Sequence, residues 1–119
     1  MRKDLVIAMT GTRSRIGRGL ALRLRAEGHT VIPVPRDYGL MPGSDLLIHL
    51  GAGTRRLAAR LSDAVSLPEK VLTTSAGLRG VESLGIKVCP LKLGKLRPEE
   101  AVDLMLWAVH LLEDPLCLD

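Results

Sequence analysis

The fold is decided by the stretch at residues 4–17, which reads DLVIAMTGTRSRIG. Its first part, residues 4–10, is a short and almost continuous apolar run, which is typical of a strand buried on both faces of a parallel sheet. Gly11 ends this run, and from Ile16 onward apolar residues recur at helical spacing. The stretch therefore predicts a strand, a tight glycine turn and a helix in direct succession.

The same alternation of strands and helices continues along the chain. Strands are predicted at 4–10, 29–34, 45–50, 70–74 and 86–89, and helices at 14–27, 54–67 and 98–113, with a helical turn at 78–84. This order predicts an α/β fold of three layers, in which a five-stranded parallel sheet is covered by helices on both faces. Pro33 cannot donate to a strand neighbour, which favours an edge position for the second strand and the order 2-1-3-4-5. A crevice then opens between the carboxyl ends of strands one and three.

Composition places the chain among soluble globular proteins. Its 119 residues are 46% hydrophobic and 25% charged, which predicts one domain spanning 1–119. No apolar run is long enough for a membrane span, so no membrane partner is expected. Residues 1–60 hold eleven Lys/Arg against four Asp/Glu, whereas 61–119 hold six against nine. A basic half can bind nucleic acid, but with Trp107 and Tyr38 as the only aromatic residues we favour one anionic ligand instead.

Cysteine and histidine usage argues against a metal centre. Cys89 and Cys117 lie far apart without CxxC spacing, which predicts neither a zinc site nor a disulfide framework and favours a cytoplasmic location. Cys89 is predicted to be an inert core thiol. His49 falls in a buried strand and is predicted to be a hydrogen-bonded core residue, whereas His29 is predicted at the surface. The absence of Asn and Gln fits a thermophile source, although a GC-rich genome produces part of the same bias.

The residues that carry chemistry lie between the first strand and the first helix, at TGTRSRIG (10–17). Gly11 suits the tight turn, the helix amino end supplies N–H groups with partial positive charge, and Gly17 permits close helix–strand packing. A pyrophosphate is the natural ligand of such a turn. Five residues separate Gly11 from Gly17, and Arg18 stands where a P-loop requires Lys, so triphosphate hydrolysis is not expected. The alternative is a structural turn without a ligand.

Several segments together resemble one family. TGTRSRIGRGLALRLRAEGHTVIPVPR is similar to the cofactor-binding start of the short-chain dehydrogenases/reductases, in particular the extended, nucleotide-sugar-epimerase-like branch with its TGxxGxIG turn. DLLIHLGAG, VLTTSAGLRG, VCPLKLGKL and EEAVDLMLWAVHLLEDP resemble later segments of that branch in the same order. The resemblance implies a truncated NAD(P)-binding Rossmann domain. The cofactor-binding residues that it implies are Gly11, Thr12, Arg13, Ser14, Arg15, Ile16, Gly17, Arg36, Gly51, Ala52, Gly53 and Thr74.

The chain also departs from the family's pattern. Ser14 replaces the middle glycine of the turn. Its side chain leaves less room for the backbone to approach the phosphate, but it supplies a hydroxyl donor. The catalytic Tyr-x-x-x-Lys is absent, because the sole tyrosine, Tyr38, is followed four positions later by Pro42. Ser75 matches the family's catalytic serine, but without the tyrosine it is only a weak catalytic candidate. The departures predict a cofactor kept for sensing or structure without turnover.

Cofactor preference follows from the end of the second strand. An acidic residue there binds the 2′-hydroxyl of NAD, whereas a basic residue accommodates the 2′-phosphate of NADP. Arg36 occupies this place and Arg13 adds a second cation, which favours NADP(H) over NAD(H). Asp37, one residue later, is the acidic residue that could still turn inward and favour NAD(H). Two alternatives remain open: a small reductase or epimerase-like enzyme completed by a partner, and an interaction module without a ligand.

The final helix, 98–113, predicts an assembly. Within residues 101–112, only Asp103 and His110 are strongly polar, so the helix is apolar around most of its circumference. A surface helix needs only one apolar stripe, which packs against the sheet. An apolar surface around most of the helix indicates that a second side of the helix is also buried. In so small a domain no other element is left to cover that side, which predicts a homodimer through this helix, or alternatively a different protein on the same face.

Overall fold

The computed structural model describes residues 4–35, 43–51, 54–62, 64, 66–74 and 79–113. Within these residues it contains five strands, three α-helices and one 3-10 helix, Arg79–Leu84. The strands are β1 (Val6–Met9), β2 (Thr30–Pro33), β3 (Leu46–His49), β4 (Lys70–Thr73) and β5 (Lys87–Pro90), and the helices are α1 (Arg15–Ala26), α2 (Thr54–Ser62) and α3 (Pro98–Glu113).

The five strands form one sheet in the order β2-β1-β3-β4-β5, and every neighbouring pair is parallel. The predicted fold class and strand order are therefore confirmed: this is a Rossmann-like α/β arrangement. Pro33 pairs in register with Met9 and ends β2, which is an edge strand as predicted. The strands β1 and β3 are neighbours, but the helices that follow them, α1 and α2, lie on opposite faces of the sheet. The topological switch point of the sheet is therefore between β1 and β3.

One face of the sheet is covered by α1 and α3. A single buried cluster joins residues of both helices to alternating side chains of the strands, among them Ile7, Met9 and Ile48. The two helices lie close together, since a Cβ added at Gly19 of α1 would be 3.2 Å from Val102 Cγ2 of α3.

The opposite face is covered by α2 and the 3-10 helix. Leu57 and Leu61 of α2 and Val81 of the 3-10 helix pack with Ala8 and Leu47 from the centre of the sheet. Helices on both faces complete the three layers that the sequence predicts. The predicted length of α2 is wrong, however, because the helix ends at Ser62. The Ala64 amide donates to Leu61 O, three residues earlier, at 3.2 Å. A hydrogen bond over three residues instead of four is typical of the tighter last turn of a helix, so the α-helical hydrogen bonding ends here.

The prediction that His29 lies at the surface is wrong. His29 is 4% exposed, and its Nδ1 accepts a hydrogen bond from the Leu5 amide at 3.0 Å. Gly28, in the left-handed conformation with φ +98°, ends α1 as predicted and turns the chain into β2. Since β2 pairs with β1, this turn brings His29 against the start of β1, where the imidazole supplies an acceptor for a backbone N–H.

The premise of the predicted assembly, that no element remains to cover a second side of α3, is also wrong. Residues of α3 are buried against the sheet and against α1, including Val102, Met105 and Val109. The polar residues of α3 pair with α1: Asp103 lies 3.4 Å from an Arg23 guanidinium nitrogen, and His110 Nε2 donates to Glu27 Oε1 at 2.8 Å. The exposed apolar surface of α3 is centred instead on Trp107, which is 56% exposed.

Candidate functional site

The candidate site is built around the turn that leaves β1 at the carboxyl edge of the sheet. Gly11 has φ +70°, a conformation that residues with a side chain rarely adopt. A Cβ at this position would also lie 2.9 Å from Leu50 O, directly after β3. The turn is thus pressed against the end of the neighbouring central strand, and only glycine fits.

Ser14 caps the amino end of α1. Its Oγ accepts a hydrogen bond from the Gly17 amide at 3.0 Å and donates one to Gly11 O at 2.8 Å. The hydroxyl proton that the sequence predicts as a donor is thus directed to Gly11 O in this structure. Ser14 has φ −72° and ψ 163°, which is extended backbone open to any residue, so a serine in the middle of the turn causes no backbone strain.

Gly17 permits a contact within the turn. A Cβ there would lie 2.0 Å from Gly11 O and 2.9 Å from Thr12 Cα, so the first turn of α1 rests directly on the turn that precedes it. The sequence correctly predicts that this position needs glycine, but the contact that requires it joins helix and turn rather than helix and strand.

The electrostatics at this end of α1 favour an anion. The first turn of α1 contains no acidic residue, and Arg13, Arg15 and Arg18 are exposed around it. The first amides of an α-helix have no partner within the helix, and together they carry about half a positive charge. Ser14 satisfies the amide of Gly17, which leaves those of Arg15 and Ile16 at the helix end for a ligand.

A buried pair of polar side chains joins β1 to β3 below the turn. Thr10 Oγ1 shares a hydrogen bond of 2.7 Å with His49 Nδ1 and accepts a second one, of 3.0 Å, from the Leu50 amide. Both side chains are buried, and burial lowers the pKa of His49, so the ring is neutral at pH 7. His49 is thus a hydrogen-bonded core residue as predicted. Its support of the site was not predicted, because it depends on the register of β1 against β3, in which Met9 pairs with Ile48.

The end of β4 continues the same edge. The Thr74 amide donates to His49 O at 3.2 Å, and Thr74 Oγ1 accepts a hydrogen bond of 3.4 Å from the Gly51 amide. The structure therefore brings Gly51 and Thr74 together, next to the turn at Gly11. Four residues of the predicted site lie outside the described residues: Arg36, Ala52, Gly53 and Ser75.

Two exposed arginines of α1 line a groove beside the turn. Arg18 and Arg25, together with Thr12 and Pro33, border a groove of about 440 Å³ between α1 and the edge strand β2. The sequence signal that could have shown that these two arginines line one groove is their spacing of seven residues, which places both side chains on the same face of a helix.

Metal and thiol chemistry find little support in the part of the chain that the structure describes. No three His, Cys, Asp or Glu side chains there are grouped to hold a metal ion. Burial raises the pKa of the Cys89 thiol, although Lys87 and Lys70 act in the opposite direction, so the thiol form predominates. None of the described helices has the length and apolar character that crossing a membrane requires.

Comparison with known proteins yields one weak structural likeness. No protein-family model and no curated protein matches the chain. Among solved structures, the chain is similar to a nucleoside-diphosphate sugar epimerase from Corynebacterium glutamicum, with 22% identity and a TM-score of 0.47. The match covers 60% of this chain and 22% of the epimerase, so the chain corresponds to only a small part of that enzyme. The assignment of the fold accordingly rests on the strand order itself.

Proposed function

We propose that this protein binds a dinucleotide at the turn 10–17, with NADP(H) preferred over NAD(H), and that the cofactor serves sensing or structure rather than turnover. One observation carries the proposal. At the switch point of a parallel sheet, Gly11 and Gly17 are both in places where a Cβ would collide with backbone, and the helix that follows has its amino end at the opening. Parallel α/β sheets bind nucleotides at this location.

The turn suits a pyrophosphate in particular. Because Ser14 Oγ bonds back to Gly11 O and the Gly17 amide, its side chain is held within the turn. The amides of Arg15 and Ile16 and the guanidinium of Arg13 then supply the donors and the positive charge for two phosphate groups. Hydrogen bonds between charged groups and such donors contribute about 1.5–3 kcal/mol each.

The preference for NADP(H) is supported by charge at the end of β2. Residues 28–36, from the end of α1 through β2, contain no Asp or Glu, and Arg36 stands where the 2′-phosphate of NADP is recognised in folds of this kind. Arg36 lies outside the described residues, so its part in the proposal rests on its position in the sequence.

The proposal that there is no turnover is supported by the lack of the family's Tyr-x-x-x-Lys in the sequence. Tyr38 is the sole tyrosine and has no lysine four positions later. Among the described residues, His49 lies below the turn but is 0% exposed and cannot reach a substrate. A general acid must come within hydrogen-bonding distance of the reacting atom, and His49 does not meet this requirement.

The experiment compares two replacements of Ser14 that both cap helices well, Ser14→Asp and Ser14→Asn. Binding of NADP and NAD is measured by calorimetry and by the shift in melting temperature. We expect Ser14→Asn to bind much like the wild type, whereas Ser14→Asp places a negative charge beside the phosphates and weakens binding by about tenfold or more. If the wild type shows neither heat nor a melting shift at millimolar dinucleotide, the proposal is wrong.

We also propose that the protein forms a homodimer through α3. Leu104, Trp107 and Leu111 are spaced at three and four residues, so they share one face of α3. Trp107 is exposed, and the two leucines are half-buried. An exposed apolar stripe of this kind, centred on an aromatic residue, is typical of an interface core.

A further inference from the structure

The two edges of the sheet differ in how their outward backbone groups are used. On β2, alternate residues bond to β1, which leaves the backbone groups of Val31 and Pro33 pointing away from the sheet. Pro33 has no N–H, and Val31 O accepts a hydrogen bond of 3.0 Å from the Arg25 guanidinium. Proline and covered backbone groups protect an edge strand from pairing with another chain. The edge at β2 is therefore largely closed.

The opposite edge, at β5, is open. The amides of Lys87 and Leu91 donate toward β4, so the backbone of Val88, which alternates with them, faces outward. In the described part of the chain, neither the N–H nor the C=O of Val88 has a hydrogen-bond partner. Val88 is only half-buried, so the edge is accessible. A strand edge with an unused donor and acceptor is a template for one more strand.

The segments before and after β5 have opposite charge. Glu82 lies in the 3-10 helix that precedes β5, whereas Lys92 and Lys95 follow the strand. All three side chains are exposed, and none of them forms an ion pair with another described residue. The edge is therefore negative beyond one end of β5 and positive beyond the other.

The exposed apolar stripe of α3, formed by Leu104, Trp107 and Leu111, lies on the same side of the molecule. Asp103 and His110 of α3 pair with α1. Leu104 and Leu111 each follow one of these residues, which places them about 100° further around the helix and away from α1. Because α1 packs against β2, the stripe is directed toward the β5 side of the sheet.

We infer that a second copy of this chain pairs edge to edge with β5, so that the dimer contains one continuous sheet of ten strands. A two-fold axis perpendicular to the sheet relates the copies, and the two β5 strands run antiparallel with Val88 opposite Val88 of the second copy. Each Val88 donates its N–H to the C=O of the other, as in a hydrogen-bonded antiparallel pair. The inference rests on the proposed homodimer, since this axis turns the two α3 stripes toward each other on one face of the sheet.

A second copy fits this edge because the edge is complementary to itself. An interface with two-fold symmetry must supply on one surface both members of every contact. Val88 supplies both a donor and an acceptor. The antiparallel arrangement also brings Glu82 of each copy beside the segment of the other copy that contains Lys92 and Lys95.

The residues next to Val88 determine the register. If Cys89 lay opposite Cys89 of the second copy, Val88 O would face Pro90, which has no N–H to donate. If Lys87 lay opposite Lys87, two like charges would meet across the strands. With Val88 at the centre, both groups of its backbone are satisfied and the lysines are not directly opposed.

The test measures the dissociation constant of the dimer by analytical ultracentrifugation for the wild type, Val88→Pro and Val88→Thr. The Val88 N–H makes no hydrogen bond to β4, so proline at this position removes only the donor for a second copy. We expect Val88→Pro to raise the dissociation constant about thirtyfold, which corresponds to the loss of two backbone hydrogen bonds per dimer. Val88→Thr is the matched control, because it keeps the N–H and the β-branched shape, and we expect a change of less than about threefold.

A charge exchange gives a second test that does not depend on whether the strand tolerates proline. Glu82→Lys and Lys92→Glu each place like charges together twice in the dimer, and we expect each to raise the dissociation constant about tenfold. On the same chain, the two changes restore opposite charges across the axis, so we expect a value within about threefold of the wild type. Circular dichroism spectra show whether each variant is folded.

The outcomes separate this pairing from the α3 proposal. The inference is overturned if folded Val88→Pro dimerises like Val88→Thr, or if the two charge reversals weaken the dimer without recovery when they are combined. If Trp107→Glu gives a monomer while the variants at Val88, Glu82 and Lys92 dimerise like the wild type, the α3 interface stands and the β5 pairing fails. If these variants weaken the dimer and Trp107→Glu does not, the β5 pairing stands and the α3 interface fails. A monomeric wild type overturns both, whereas dinucleotide binding is measured separately by calorimetry.

Discussion

The Oγ1 of Thr10 and the Nδ1 of His49 lie 2.7 Å apart, and they join the carboxyl ends of the two central strands directly beneath the candidate site. Thr10 precedes Gly11 and His49 precedes Leu50, whose carbonyl oxygen lies close against Gly11. The bond therefore fixes the relative position of the two chain segments that border the crevice.

The first prediction concerns the pH dependence of stability. Burial lowers the pKa of His49, so the unfolded state, with a pKa of about 6.5, binds the proton more readily than the folded state. The contribution of neutral His49 to stability is thus complete above about pH 6.5 and is lost as the pH falls toward the lower folded-state pKa. We expect the melting temperature to fall between pH 7.5 and pH 5.0, and to fall less steeply in His49→Asn. Equal pH profiles of the two proteins would contradict the assignment.

The second prediction concerns the backbone contact at Gly17. In an exposed helix, Gly→Ala is stabilising by about 1 kcal/mol. At Gly17 the added Cβ would lie 2.0 Å from Gly11 O, and backbone must shift, so we expect Gly17→Ala to be destabilising by about 3 kcal/mol. Gly19→Ala is the control, since its Cβ would meet only the end of the Val102 side chain at 3.2 Å. Denaturant unfolding measures both, and a Gly17→Ala protein as stable as Gly19→Ala would show that the turn is not packed in this way.

The third prediction concerns catalysis. Because Tyr-x-x-x-Lys is absent, we expect the purified chain to show negligible reduction of carbonyl substrates with NADPH. The measurement is absorbance at the nicotinamide wavelength, with and without candidate protein partners. Robust reduction by the chain alone that is abolished in Ser75→Ala would show that Ser75 is catalytic after all. Reduction only in the presence of a partner would favour an enzyme whose site is completed by that partner.

The fourth prediction concerns assembly. If a second copy covers Trp107, light scattering at micromolar concentration should give the mass of a dimer, and Trp107→Glu should give a monomer with an unchanged far-ultraviolet circular dichroism spectrum. A second copy would remove the exposed half of Trp107 from water on each side, so a charge at this point is strongly unfavourable in the dimer. Leu22→Glu is a control, because Leu22 is also apolar and exposed but lies on α1 beside β2. A monomeric wild type rules the homodimer out.

The order of the strands and the position of the turn could be predicted because they depend on local signals. Short apolar runs, the left-handed Gly28 and the edge-forming Pro33 each act within a few residues, and together they favour the strand order that is observed. The bounds of α3 follow equally directly from Pro98 and the acidic residues after it.

The features that could not be predicted depend on which elements become neighbours. His29 is buried because β2 pairs with β1, and the periodicity of either segment alone does not show where its imidazole lies. Asp103 and His110 look like the solvent side of α3, yet they pair with Arg23 and Glu27 because α1 lies beside α3 on the same face of the sheet. A polar residue at the rim of a helix–helix contact has the same sequence signature as one in solvent.

The hydrogen bonds of Ser14 to Gly11 and Gly17 hold the turn together through groups of the chain itself. Little conformational entropy would then be lost on binding at this turn, and little movement would accompany it. A protein that reports its cofactor in this way would signal by charge rather than by shape. The phosphates would neutralise the exposed arginines at one end of α1, and the affinity of that surface for an acidic partner would fall as the cofactor binds.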